Sequence, residues 1–201
     1  MSTRIPFIFS LVALGAGLCT AEPVDLIAGL NSGQLWAEFR GAGDRAVTGT
    51  IGRTGDAPLD VNIPAGTQFW AQAGGRQGQS TIGGRSFGLR DVKDVQVMLA
   101  TCCTNLGLRE ATAADLMVPV ACPDVRLARL LSLPGIEQQP HMAVQAAVWA
   151  LANDARPTAV RRALRAEPGV GCTAFANEMV GLAANLIRAC GLEPGDYKLF
   201  R

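Results

Sequence analysis

One histidine, His141, is all the imidazole this chain has, and charged residues make up only 17% of it. A hydrolytic triad needs a histidine placed as a general base. His141 stands beside Pro140 at a helix entrance, a position that suits a surface or capping role. There is no G-x-S-x-G elbow before a helix and no C-x-x-C pair, so neither a serine hydrolase nor a zinc site is indicated. The glycine pairs Gly74-Gly75 and Gly83-Gly84 fall between strands rather than between a strand and a helix, which leaves no phosphate cradle. Asp91 and Asp94 lie in a polar turn and read as a solvated loop. His141-Met142 sets one imidazole beside one thioether, and adjacent positions rarely face one copper ion. No metal and no cofactor is implied.

Long apolar runs are equally scarce. The one candidate, Ile5 to Leu18, follows a short basic start with Arg4 and precedes Cys19-Thr20-Ala21. It is shorter than the roughly 20 residues of a membrane span and fits a secretory signal peptide, with cleavage expected after Ala21. Leu18 stands where lipidation of Cys19 would want a small residue. Residues 1–21 are therefore expected to be removed, the mature chain to be periplasmic or extracellular, and no membrane insertion to follow. Their removal takes away Arg4 and leaves 17 basic against 17 acidic side chains. With no net field and with its arginines dispersed, only Arg161, Arg162 and Arg165 lying close together, the chain is not expected to bind nucleic acid.

What is present begins with five cysteines in the mature chain, Cys102, Cys103, Cys122, Cys172 and Cys190. In an oxidising compartment this number permits at most two internal disulfides. Cys172 and Cys190 bracket one predicted helix, too long for a bridge between them. The expectation is that a disulfide ties the last helix to Cys102, Cys103 or Cys122. Adjacent Cys102 and Cys103 are expected to bond to different partners rather than to each other.

From Glu22 to about Val120 short alternating runs separated by turns predict strands over 35–39, 46–51, 59–63, 67–71, 86–89, 95–99 and 116–120. About seven such strands predict an Ig-like β-sandwich, with an open barrel as the alternative. After Cys122 the texture becomes helical. Asp124 caps a predicted helix over 125–133, Met142 to Asp154 forms a central apolar helix, Pro157 starts another, and Thr173 to Ala189 forms the last. The predicted organisation is α+β: a β-sandwich over 22–121 packed against a bundle of about four helices over 122–201.

The central helix carries Gln145 and Trp149 four residues apart on one face. The sequence V-Q-A-A-V-W, residues 144–149, resembles the aliphatic-Q-x-x-aliphatic-W pattern of bacterial thioester domains in surface adhesins. In that family a glutamine carbonyl is joined to a cysteine sulfur, and the thioester reacts with an amine on a partner. The resemblance, which covers six residues, implies that Gln145 is the acyl residue and that Trp149 covers it. Position in the chain favours Cys122 as the cysteine, with Cys103 behind it. The expected role is that of a secreted, non-catalytic structural, binding or adhesion module with a protein or surface ligand. Covalent attachment to an amine through a Cys-Gln bond is the alternative.

Overall fold

The computed structural model describes residues 22–166 and 173–201. The predicted signal peptide, Cys19 and Cys172 lie outside these residues. The β half consists of β1 (Val24–Asp25), β2 (Leu35–Gly41), β3 (Ala46–Arg53), β4 (Asp60–Ile63), β5 (Gln68–Ala71), β6 (Gln79–Thr81), β7 (Arg85–Gly88), β8 (Asp94–Cys103) and β9 (Leu116–Val120). Helix α1 (Leu26–Asn31) follows β1, and α2 (Val125–Leu131), α3 (His141–Asn153), α4 (Pro157–Ala166) and α5 (Thr173–Ala189) form the second half.

The strands do not make the expected Ig-like sandwich. Six of them close a barrel in the order β2-β3-β8-β6-β5-β9, and β1, β4 and β7 form a separate three-stranded sheet. Closure removes the exposed edges that an open sheet would leave. It comes from β9, which pairs with β5 over four residues and with β2 through Phe39↔Met117 and Arg40↔Leu116. Alternation directs Phe39, Val47, Ile51, Phe69, Leu99 and Met117 inward, all buried. Phe39 and Phe69 meet edge to face with ring centroids 4.9 Å apart. Gly49 on β3 makes room for this packing, since a Cβ there would stand 2.4 Å from the Phe39 ring. The small sheet and α1 cover this core with Leu26, Val61, Ile63 and Leu89.

The helical half has its own core, centred on α3. Every residue from Met142 to Leu151 is buried, because α2, α4 and α5 pack around α3 while its remaining face lies on β8. Its many alanines permit those close approaches. Asp124 caps α2 by accepting from the backbone N–H of Arg126 at 2.9 Å. Asp154, at φ 45°, ends α3 in the left-handed conformation, which aspartate tolerates better than most side chains. No helix among the described residues is long and apolar enough to cross a membrane.

The expected disulfides are corrected. Among the described residues no disulfide joins Cys102, Cys103, Cys122 or Cys190. The sulfurs occupy separate surroundings, Cys102 Sγ beside His141, Cys103 Sγ beside Asp44 O and Cys122 Sγ beside Asp124 O. Cys102 is wholly enclosed in the helical core, where desolvation pushes its thiol well above the ordinary value, with the neighbouring Cys103 adding to the shift. Burial also raises the thiols of Cys122 and Cys190. The thiolate, which is the form that exchanges with a disulfide, is disfavoured at these three positions.

Candidate functional site

The site lies where β8 leaves the barrel and α3 crosses it. Strand β3 pairs with β8 only as far as Ala46↔Ala100, and the Thr101 N–H then donates to Arg45 O at 2.9 Å. On the other side, β6 continues along β8 through Gln79↔Cys103, and the Thr104 N–H donates to Gly78 O. Hydrogen-bonding direction alternates along a strand, so the Cys103 backbone faces the side on which β3 has ended. Without a substitute, a buried N–H and C=O would lack partners, at roughly 1–3 kcal/mol each.

Gln145 is that substitute. The Cys103 N–H donates to Gln145 Oε1 at 2.8 Å, and Gln145 Nε2 donates to Cys103 O at 2.6 Å. The amide thus takes the place of a strand residue. Its neighbours extend the same stitching. His141 Nε2 lies 3.0 Å from Thr101 O, and Asn153 Oδ1 accepts from the Leu106 N–H at 3.1 Å. A carbonyl oxygen only accepts, so the His141 contact puts the proton on Nε2. The spacing has a geometric origin: four residues of helix rise about 6 Å, and two residues of strand about 6.7 Å. His141, Gln145, Trp149 and Asn153, four apart, therefore run in step with the chain from Thr101 to Leu106.

Trp149 is the member of this stripe whose polar atom has no hydrogen-bond partner; its indole N–H is buried. It borders a cleft of about 720 Å³ that Cys103, Gln145, Gln77, Asp44, Glu110 and Arg162 also line. The cleft is open to solvent at the α4 side, where Arg162 and Glu110 are exposed. Cys103 itself is 2% exposed, and its Sγ lies 3.5 Å from Asp44 O.

Of the two cysteines considered for the site, the structure brings Cys103 to Gln145 and leaves Cys122 elsewhere. Cys122 Sγ contacts Asp124 O at 3.3 Å and the Gln68 amide at 4.0 Å, at the start of α2. Cys102 points to the opposite face of β8, with its sulfur 3.7 Å from His141 Nε2. Cys190, at the end of α5, has its carbonyl held by Arg129 at 3.1 Å. Among the described residues no three His, Cys, Asp or Glu side chains gather as a metal site.

Asn153 and Gln77 stand out by no motif in the sequence, and His141 reads there as a surface or capping residue. The four-residue stripe through His141 and Asn153 could have been found by extending the Gln145–Trp149 spacing one step each way. Gln77 could not, because it comes from a turn remote from both cysteine and helix in sequence. Its Nε2 donates to Leu108 O at 2.5 Å and its backbone N–H to Arg109 O at 2.8 Å, while its Oε1 is buried with no partner. Comparison with models of known families, with curated proteins and with solved structures finds no match for this chain.

Proposed function

We propose that this protein is an exported attachment module in which Cys103 and Gln145 form an intramolecular thioester that is passed to an amine on a partner protein or surface. The observation that carries the reading is the two-way hydrogen bonding of the Gln145 amide to the Cys103 backbone, which holds acyl residue and thiol residue side by side at a cleft. In bond formation Cys103 Sγ joins Gln145 Cδ, the C–N bond breaks, and the thiol proton leaves with the nitrogen as ammonia. In attachment the partner amine bonds to Cδ, the C–S bond breaks, and the amine proton returns to sulfur. The Cys103 N–H already donates to Oε1, the atom on which negative charge develops in either step. The acyl group is spent once, so the protein is not a turnover enzyme.

A second reading, a binding module with a purely structural amide, draws on the same pair of hydrogen bonds, since they satisfy both polar atoms of Gln145. Intact mass of the mature, non-reduced protein separates the two. A thioester predicts a deficit of one ammonia that methylamine reverses by adding to Gln145. The deficit is expected to vanish in Cys103→Ala and to persist in Cys122→Ala. A full-length mass with no deficit leaves the structural amide.

A further inference from the structure

Two residues that line the cleft beside Cys103 and Gln145 each carry a buried polar atom without a partner, the Trp149 indole N–H and Gln77 Oε1. Gln77 is 9% exposed and Trp149 6%. Buried polar groups are normally satisfied, so an orphan donor and an orphan acceptor on residues lining one cleft, beside a thiol and an amide, point to a ligand that completes them. An amine attacking an acyl carbon must direct its lone pair at that carbon, which leaves its N–H bonds to be received by an acceptor. The indole N–H cannot accept. Among the other acceptors at the cleft, Asp44 is 3.5 Å from the Arg45 guanidinium and Glu110 is exposed at the rim. Gln77 Oε1 is the buried, neutral acceptor, and the bond from its Nε2 to Leu108 O fixes which way its amide faces.

We propose that Gln77 is the residue that receives and orients the attacking amine, an assignment that rests on the thioester reading above. Its neutrality matters. A buried carboxylate would favour the ammonium form, which has no lone pair to attack with, whereas an amide oxygen accepts from the free base without holding it protonated. During attack the N–C bond forms at Gln145 Cδ, the C–S bond breaks, and the Cys103 sulfur recovers a proton from the amine. Gln77 stays unchanged, bonded to an N–H that remains on the new amide.

The test compares two nucleophiles on the full mature protein, followed by intact mass over time. Methylamine has N–H bonds to give to Gln77; the thiolate of ethanethiol has no hydrogen-bond donor. Gln77→Leu is expected to lower the methylamine rate constant about 10-fold, the order of one lost hydrogen bond, and to leave the thiolate rate within about two-fold. An equal fall for both nucleophiles would make Gln77 a packing residue and overturn the assignment, as would no fall for either. If Gln77→Leu does not fold, Gln77→Met carries the same comparison. A wild-type protein without the ammonia deficit refutes the thioester itself and this assignment with it; a deficit with nucleophile rates indifferent to position 77 refutes the assignment alone.

Discussion

Gln145 is the residue on which both halves of the molecule depend. Its side chain stands in for the strand that β3 does not supply, and it does so from a helix 42 positions away. Relative to the chain with its Gln145 amide intact, Gln145→Ala leaves the Cys103 N–H and C=O buried and unpaired. The expected cost is roughly 2–4 kcal/mol, two unsatisfied groups at about 1–3 kcal/mol each with partial relief by relaxation. Denaturant unfolding measures that loss, and hydrogen exchange locates it: the Cys103 amide, protected in the wild type, should exchange faster in the variant. An unchanged rate at Cys103 would show that another group pairs this N–H. Cys103 and Cys122 illustrate the same dependence on partners. Cys103 closes β8 and Cys122 follows β9, and the crossing helix decides which of them meets the amide.

At the scale of elements, α3 is held by what surrounds it rather than by an amphipathic pattern, since it is buried all round. Its C-terminal end is tied down by Asp154, whose carboxylate accepts from the Lys198 backbone N–H at 2.9 Å and pairs with Lys198 Nζ at 2.6 Å. The side-chain bond to Lys198, followed by the backbone one, lowers the Asp154 pKa below its ordinary 3.8. A carboxylate with a depressed folded value contributes stability that is fully present above 3.8 and is lost as pH falls through the lower folded value. Asp154→Asn keeps an acceptor and tolerates the left-handed backbone but cannot titrate. The stability difference between wild type and Asp154→Asn is therefore expected to be present at neutral pH and to shrink as pH falls below 3.8. Unfolding midpoints measured from neutral to acid pH check this, and a difference that stays constant with pH would refute it. The pair is half exposed, so the effect is also expected to weaken with salt.

Across the whole molecule, two apolar cores meet along β8. Leu99 belongs to the barrel core, whereas Cys102, three residues on, belongs to the helical one. The Gly83 N–H donating to Leu131 O at 2.9 Å adds a further bond between the β half and the helices. Because one strand serves both cores, the halves are expected to unfold together. Trp36 and Trp70 report on the barrel and Trp149 on the helices. Denaturation of wild type and of Trp149→Phe, followed by tryptophan fluorescence and by helical circular dichroism, should give coincident midpoints within each protein. Separated midpoints would mean that the halves are independent domains.

Local order was legible in the chain itself. Alternation located seven of the nine strands, and Asp124, Pro157 and the apolar period located α2 to α5, because those signals act between near neighbours. The short β1, β6 and α1 escaped, since two, three and six residues carry too little periodicity to stand out from a turn. The residues 144–149 also drew notice to Gln145 and Trp149 before any geometry was known. Closure of the barrel, the absence of a disulfide among the described cysteines and the meeting of Gln145 with Cys103 rather than Cys122 were tertiary decisions. Each depends on which groups remain unpaired after distant strands have met: β3 stops at Ala46, the Cys103 backbone is left without a partner, and the helix lying across that gap supplies one. Gln77 is the clearest instance, because its orphan oxygen acquires meaning only from a cleft assembled by five segments of the chain. Periodicity records what a residue does with its own neighbours, and pairing across the fold is fixed by what the rest of the chain leaves unsatisfied.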